Sequence, residues 1–274
     1  MLPFILLAMS ERPRPPISTR LMSYFVRNPL IYLYTVALGT VSLVCSPFDR
    51  RGRMQHDLAR AWSWLILKTC GSPFEIEGLE KLDLSQPAIY AANHSSALDI
   101  PVLYVGLPFQ FRILAKLELF RLPFLGGHLK RSGQIPIDRA DARATLRSLS
   151  AASQTVNNGM PLVVFPEGGR STDGHIQPFL GGVFYVAIKA QAPIVPMAIV
   201  GAYEALPMNT YVICPTRFKL VIGEPVPTAG LVTRDMEQLS AQVHQAMSDL
   251  FYAHSSLTPP VAEPQDAAVL PSGK

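Results

Sequence analysis

The stretch PAIYAANHSSALD, residues 87–99, joins an apolar run to a histidine and a carboxylate. Its first half, Pro87–Ala92, is short and apolar, which predicts a buried β-strand. The polar half begins where that strand ends, and open α/β sheets place their functional sites at the carboxyl ends of strands. We therefore predict a functional site directly after this strand.

His94 and Asp99 are the two side chains of this stretch that suit proton transfer. Five residues apart, they would point away from each other on one continuous helix. They can meet if His94 lies in the loop and Asp99 lies in the first turn of a helix. A carboxylate on one ring nitrogen fixes the tautomer and leaves the other nitrogen free to take a proton from a hydroxyl. The pattern predicts a general base without its own nucleophile, and a structural histidine is the alternative.

A second polar stretch, FPEGGRS at residues 165–171, follows another apolar run that predicts a strand. Gly168 and Gly169 permit backbone conformations that expose N–H groups to an anion. Arg170 can add a forked, permanently charged contact with a phosphate. Glu167 can hold that arginine or an acceptor hydroxyl. The alternative interpretation is a tight turn with a surface ion pair.

Apolar runs alternate with helical patterns along the rest of the chain. This alternation predicts an α/β fold, a mixed sheet layered with helices. The predicted strands are Pro87–Ala92, Phe111–Ala115, Gln134–Ile137, Pro161–Phe165, Ile194–Val200 and Phe218–Ile222, and the predicted helices span residues 142–157, 179–190 and 236–250. From Ser255 onward the chain is rich in Pro, Ala and Ser, which predicts a disordered tail over residues 255–274.

Positive charge is concentrated near the N-terminus, where the first 60 residues hold eight Lys or Arg and three Asp or Glu. Between these charges lies Pro29–Cys45, which is uncharged and apolar and is as short as a transmembrane helix can be. Positive charge on both sides suits a segment that enters and leaves the same leaflet. The partner predicted for this basic, apolar region is therefore a bilayer and not a nucleic acid. The flanking arginines are Arg12, Arg14, Arg20 and Arg27 before the segment, and Arg50, Arg51 and Arg53 after it.

A second helical pattern, Met54–Cys70, carries Trp62 and Trp64, whose indole rings favour the membrane interface. A buried core helix is the alternative. The predicted organisation has three parts. Residues 1–70 form a membrane-associated helical segment, residues 71–254 form the domain with both polar stretches, and residues 255–274 form the tail.

Several blocks, in order, resemble the glycerolipid acyltransferase family, particularly the 1-acylglycerol-3-phosphate acyltransferases. Its Asn-His-x-x-x-x-Asp motif matches residues 93–99, its Phe-Pro-Glu-Gly-Thr-Arg-Ser motif matches residues 165–171, and a strand similar to Val-Pro-Val-Ala-Ile matches residues 195–199. Between them, residues 115–126 and the Gly-x-Ile-x-Ile-Asp-Arg block at residues 133–139 also match. Two positions depart from the family: Gly169 replaces a threonine, and no lysine follows Phe179.

The resemblance implies direct acyl transfer from a thioester of coenzyme A or acyl carrier protein to a lysophospholipid. The implied acceptor is 1-acyl-sn-glycerol-3-phosphate, and the implied product is phosphatidic acid. The implied catalytic residues are His94 and Asp99, and the implied substrate-binding residues are Glu167, Gly168, Gly169, Arg170, Arg139 and Lys116. No metal and no cofactor is implied. The expected location is the cytoplasmic face of a membrane, in a bacterium the inner membrane.

Three alternatives stay open at this point. The acceptor could be another lysolipid, such as a lyso-ornithine lipid. Four residues, His94, Asp99, His128 and His175, could instead ligate the metal of a hydrolase, although their spacings match no metal-site pattern. A non-enzymatic membrane scaffold is the third alternative, but it would not need a His-Asp pair and a Glu-Gly-Gly-Arg turn at two strand ends.

Overall fold

The computed structural model describes residues 14–49 and 51–260, and in this part of the chain a sheet of seven strands is layered with helices. The strands are β1 (Phe74–Glu77), β2 (Ile89–Ala92), β3 (Arg112–Lys116), β4 (Ile135–Ile137), β5 (Leu162–Val164), β6 (Ile194–Val200) and β7 (Phe218–Ile222). The helices are α1 (Ile17–Met22), α2 (Asn28–Cys45), α3 (Arg53–Cys70), α4 (Asp99–Gly106), α5 (Leu125–Arg131), α6 (Ala142–Asn157), α7 (Gly182–Ala190), α8 (Ala202–Ala205) and α9 (Met236–His254).

The strands follow the order β1-β7-β6-β2-β5-β3-β4. All neighbouring pairs are parallel except β6 and β7, which are antiparallel. Five strands, β2 to β6, therefore end at the same edge of the sheet. Their carboxyl ends gather the loops that follow them, and β2 lies between β6 and β5.

Helices cover both faces of the sheet, which explains why its strands are nearly continuous apolar runs. Along β2, Tyr90 and Ala92 pack in the cluster formed with α3 and α4. Ile89 and Ala91 pack in the opposite cluster, formed with α6, α7 and α9. Successive side chains of a strand point to opposite faces, so one short segment contributes to both layers. The predicted fold class, a mixed α/β sheet layered with helices, is confirmed.

All six predicted strands are present, with ends that differ by at most two residues. We did not predict β1, because its sequence Phe-Glu-Ile-Glu is short and its alternate residues are exposed at an edge of the sheet. The predicted helix at Phe179 begins instead at Gly182. The residues just before Gly182 are not helical, because the Leu180 N–H instead donates a hydrogen bond of 2.9 Å to the Pro166 carbonyl.

One continuous helical run near the N-terminus, Ile17–Phe48, is long and apolar enough to cross a membrane. It contains α1, α2, a π-helical turn at Ser23–Arg27 and a 3₁₀ turn at Ser46–Phe48, and only 11% of its most apolar window is buried. Phe25, Tyr32 and Val44 are 75%, 72% and 67% exposed on it. The predicted N-terminal apolar helix is therefore present, and it is longer than Pro29–Cys45.

The second predicted N-terminal helix, α3, has one face in the core of the domain. Its residues Ala59, Ile66, Leu67 and Cys70 are buried in the cluster that also contains α4. The opposite face carries Trp64, which is 51% exposed. The buried core helix considered as the alternative thus describes one face of α3. The packing of this face favours assigning α3 to the same domain as the sheet. The predicted domain boundary at residue 70 stays a prediction.

Parts of the predicted N-terminal segment and tail lie outside the described residues. They are residues 1–13, which include Arg12, together with Arg50 and residues 261–274. The described start of that tail, residues 255–260, contains no helix or strand.

Candidate active site

His94 lies in the loop after β2, and Asp99 opens α4, so the loop brings the two side chains together. His94 Nδ1 is 2.7 Å from Asp99 Oδ2. A carboxylate can only accept hydrogen bonds, so Nδ1 carries the proton of the neutral ring. The other ring nitrogen, Nε2, is then the basic atom of the pair.

The Asp99 carboxylate is completely buried and tightly held. Besides His94, its Oδ2 atom accepts the N–H groups of Ser95 and Ser96, both at 2.8 Å. Its Oδ1 atom has no hydrogen-bond partner among the described residues. Three donors on one oxygen fix the direction of the carboxylate, and with it the direction of the imidazole.

Two further contacts hold the loop that carries His94. The imidazole stacks on Phe165, with ring centroids 4.0 Å apart and planes inclined by 18°. The side-chain amide of Asn93 pairs with the backbone of Ile199 on β6, donating to its carbonyl at 3.0 Å and accepting from its N–H at 2.7 Å. The loop is thus attached to both strands that neighbour β2.

Glu167 lies three residues after β5, with 9% of its surface exposed. Its Oε1 accepts the backbone N–H of His94 at 2.8 Å, and its Oε2 accepts the N–H of Gln177 at 3.2 Å. Burial raises the pKa of Glu167 to about 8, while the two N–H donors act in the opposite direction. The sequence suggested that Glu167 holds Arg170 or an acceptor hydroxyl, but in the structure both oxygens already contact backbone donors.

Arg139 lies against the glycine turn that follows Glu167. Gly168 has a φ of +73°, and a Cβ atom added there would lie 2.0 Å from Nη2 of Arg139 and 2.4 Å from Leu180 Cδ1. The guanidinium therefore lies directly over the Gly168 backbone. Gly169 is exposed, and a Cβ atom there would meet nothing within 4 Å.

The other two predicted cations are exposed at the same edge of the sheet. Arg170 is exposed and forms no hydrogen bond or ion pair within residues 14–49 and 51–260. Lys116 ends β3 and forms an ion pair of 3.5 Å with Glu118. Lys116 is paired in register with Ile137, two residues before Arg139. All eight predicted site residues thus lie at or after the carboxyl ends of β2, β3, β4 and β5, although their roles stay predictions.

His128 and His175 each contact a hydroxyl group elsewhere and do not contact His94 or Asp99. Nδ1 of His128 is 2.7 Å from Ser42 Oγ, and Nδ1 of His175 is 3.2 Å from the Tyr252 hydroxyl. No group of three His, Cys, Asp or Glu side chains placed to hold a metal occurs in the described residues. The metal-site alternative therefore has no donor set in this part of the chain.

Among the contacts of the candidate base that sequence reasoning missed are those of Phe165 and Ser171. Phe165 ends a predicted strand, and its ring packs on the imidazole. The Ser171 N–H donates a hydrogen bond of 2.7 Å to the His94 carbonyl. The one available signal was an aromatic residue at a strand end, and no sequence feature indicated that backbone contact.

Comparison with known proteins agrees with this geometry. A family model described as Acyltransferase matches residues 73–200, which include both polar stretches and the strands that carry them. Residues 73–200 thus form an acyltransferase domain, and this domain resembles the glycerolipid acyltransferase family.

Individual relatives carry a consistent name. A chloroplastic 1-acyl-sn-glycerol-3-phosphate acyltransferase of Brassica napus is 34% identical over 60% of this chain, which spans 47% of that protein, about half its length. The human 1-acyl-sn-glycerol-3-phosphate acyltransferase beta is 29% identical over 84% of each chain. The crystal structure of the 1-acyl-sn-glycerophosphate acyltransferase PlsC of Thermotoga maritima is 24% identical, with a TM-score of 0.72, and covers 85% of this chain and 94% of that one. The last likeness shows that the two proteins share a fold.

The glycine turn gives a test with an adjacent control. Gly168→Ala places a side chain at positive φ, which costs about 1–2 kcal/mol, and it displaces Arg139 and Leu180. We expect Gly168→Ala to lower the melting temperature by roughly 3–6 °C in a thermal unfolding experiment in detergent. Gly169→Ala should leave it unchanged, because its Cβ atom enters open space. Equal behaviour of the two variants would contradict the described turn.

Proposed function

We propose that the protein transfers an acyl group from a thioester to the free hydroxyl of 1-acyl-sn-glycerol-3-phosphate, giving phosphatidate. The thioester is that of coenzyme A or acyl carrier protein. The observation that carries this proposal is a histidine whose Nδ1 is bonded to a buried carboxylate at an open sheet edge, beside an arginine-bearing glycine turn. The names of the relatives support the acceptor.

In the proposed mechanism, Nε2 of His94 takes the proton of the acceptor hydroxyl. The resulting alkoxide attacks the thioester carbonyl carbon, and the tetrahedral intermediate collapses with cleavage of the C–S bond. The thiolate leaves and takes the proton back from His94. Asp99 orients the ring and stabilises the imidazolium that forms between the two proton transfers. The protein therefore needs no nucleophile of its own, because the acceptor supplies it.

Arg170 and Arg139 are proposed to bind the phosphate of the acceptor, with Lys116 as a further contact. A guanidinium presents two parallel N–H donors to a phosphate, and neither arginine has an acidic partner among the described residues. The Gly168 N–H donates to the Phe165 carbonyl at 3.0 Å and is not free for an anion, so Gly169 is the glycine of the turn that an acceptor can approach. The second candidate acceptor is another lysolipid, such as a lyso-ornithine lipid, which lacks the phosphate monoester.

The proposed location is the cytoplasmic face of a membrane, in a bacterium the inner membrane. Acyl thioesters are made in the cytoplasm, and both the acceptor and the product reside in the bilayer. The exposed apolar run Ile17–Phe48 supports this location, because insertion into lipid would remove its apolar side chains from water.

Substitution of the His-Asp pair tests the mechanism. His94→Ala should lower kcat by about 10²–10⁴ and preserve the melting temperature, whereas Asp99→Asn should cost less because part of the orientation survives. The assay follows phosphatidate formation from lysophosphatidate and an acyl thioester with purified protein in detergent. His254→Ala, a substitution at the end of α9, is the matched control. A His94→Ala variant with more than about half of the wild-type activity would exclude general-base catalysis by His94.

Arginine substitution tests the acceptor. Arg170→Lys keeps the charge but loses the forked geometry, so we expect the KM for lysophosphatidate to rise roughly tenfold with little change in the KM for the acyl donor. The matched control is Arg217→Lys, directly before β7, whose guanidinium pairs with Glu75 on the outermost strand β1. An equal loss on a lysolipid without a phosphate monoester would assign the phosphate contact to Arg139 or Lys116 and favour the second acceptor.

Membrane association is tested by fractionation. At about 1 M salt the Debye length is roughly 3 Å, so charge attraction is screened while apolar burial persists. We expect the wild-type protein to stay in the membrane fraction, and the triple variant Phe25→Glu, Tyr32→Glu, Val44→Glu to be released. Leu146→Glu, a similar change on exposed α6, is the control. Release of the wild-type protein by salt alone would indicate a purely electrostatic association.

A further inference from the structure

Both carboxylate oxygens of Glu167 accept hydrogen bonds from the protein itself, so neither oxygen is free to bind a substrate. Oε1 accepts the His94 N–H and Oε2 accepts the Gln177 N–H. The side chain is 9% exposed. An acceptor hydroxyl would have to displace one of these backbone donors, which would leave a buried N–H group without a partner.

The contact of Glu167 with His94 belongs to a larger clamp on one peptide unit. The N–H of His94 donates to Glu167 at 2.8 Å, and its carbonyl accepts the Ser171 N–H at 2.7 Å. Both partners lie in the segment that follows β5, whereas His94 follows β2. The two loops are thereby joined through the backbone of the candidate base.

The ring of His94 is held as firmly as its backbone. Asp99 binds Nδ1 and Phe165 packs on the ring face, so Nε2 is the polar atom of His94 without a partner among the described residues. Asp99 sets the rotation of the ring, whereas Glu167 sets the position of the backbone from which the ring extends. A base that must meet a hydroxyl within hydrogen-bond distance depends on both.

Electrostatics also disfavours Glu167 as a ligand of the phosphate region. When it is ionised, Glu167 repels a phosphate, and the charges of Asp99 and Asp173 already disfavour this ionised form. Two backbone N–H groups are the donors that offset its burial. Its chemistry therefore suits an internal acceptor for the loop backbone better than a contact with an anionic lipid.

We propose that Glu167 is a positioning residue, which fixes the His94 peptide by joining the loops after β2 and β5, and that it does not bind the acceptor. This inference rests on the proposed function for its kinetic test alone. It predicts that Glu167 acts on the rate of proton transfer from any acceptor, through His94, and that it has little effect on the affinity for lysophosphatidate.

The kinetic test compares Glu167→Gln and Glu167→Ala with Glu224→Gln, a matched change of an exposed glutamate after β7, at the opposite edge of the sheet. We expect kcat to fall about 10–100-fold in Glu167→Ala, and the KM for lysophosphatidate to stay within about twofold. Glu167→Gln keeps one oxygen acceptor and should lose less than Glu167→Ala. A raised KM with unchanged kcat, or no change in either, would overturn the proposal.

A second measurement needs no acyl-transfer activity. With ¹⁵N-histidine labelling, the six histidines of the wild-type chain give few amide signals, and loss of one signal in His94→Gln assigns that of His94. An amide that donates to a carboxylate should shift downfield as that carboxylate loses its proton, here as the pH rises through the Glu167 pKa of about 8. A His94 amide whose shift does not change at any pH between about 4 and 9 would overturn the contact.

These two readouts separate the inference from the proposed function. If the wild-type protein transfers no acyl group to lysophosphatidate, the proposed acceptor is wrong, and the titration of the His94 amide still decides whether Glu167 holds the loop. If transfer occurs and the amide does not titrate, the proposed function stands and the positioning role fails.

Discussion

The hydrogen bond between the buried Asp99 carboxylate and His94 Nδ1 is the interaction on which the arrangement of the site depends. It fixes the tautomer of the ring and leaves Nε2 as the basic atom. A buried carboxylate is costly unless donors surround it, and here two backbone N–H groups of the same loop join His94 on one oxygen. The loop can therefore close in this form only when Asp99 opens α4.

The arrangement of the site also depends on the sheet topology. Because β2 lies between β6 and β5, the loop after β2 can be attached on one side through Asn93 to Ile199 and on the other through Glu167 and Ser171. Because β3 and β4 continue the sheet beyond β5, Lys116 and Arg139 reach the same edge. Residues far apart in sequence thus become a base and a group of cations along one line of strand ends.

Much of this could be predicted from sequence because it is local. The apolar runs of β2 and β5, the polar residues that follow them and the five-residue spacing of His94 and Asp99 all lie within short windows. Strand order could not be predicted, because the pairing of β1 with β7 joins segments that only the folded chain brings together. The contact of Glu167 with the His94 N–H spans 73 residues and involves a backbone atom, so side-chain patterns give no signal for it.

The N-terminal region, too, could be predicted from sequence only in part. Composition predicted an apolar helix, but it did not predict that α3 would place Ala59, Ile66 and Leu67 in the core while the helical run before it stays exposed. Trp62 joins the two helices, since its Nε1 donates to Thr35 Oγ1 at 3.0 Å. An exposed apolar helix is thereby held to the domain that carries the site, a suitable arrangement for a substrate that resides in a bilayer.

Intact-protein mass spectrometry during reaction with an acyl thioester tests most directly whether His94 acts as a base toward the acceptor hydroxyl. The protein is mixed with the thioester first without and then with lysophosphatidate, and each sample is quenched on the timescale of turnover. Direct transfer predicts an unchanged protein mass in both samples, with phosphatidate formed only in the second. A protein that gains the mass of the acyl chain before the acceptor is added, and loses it when phosphatidate forms, would contradict the general-base mechanism.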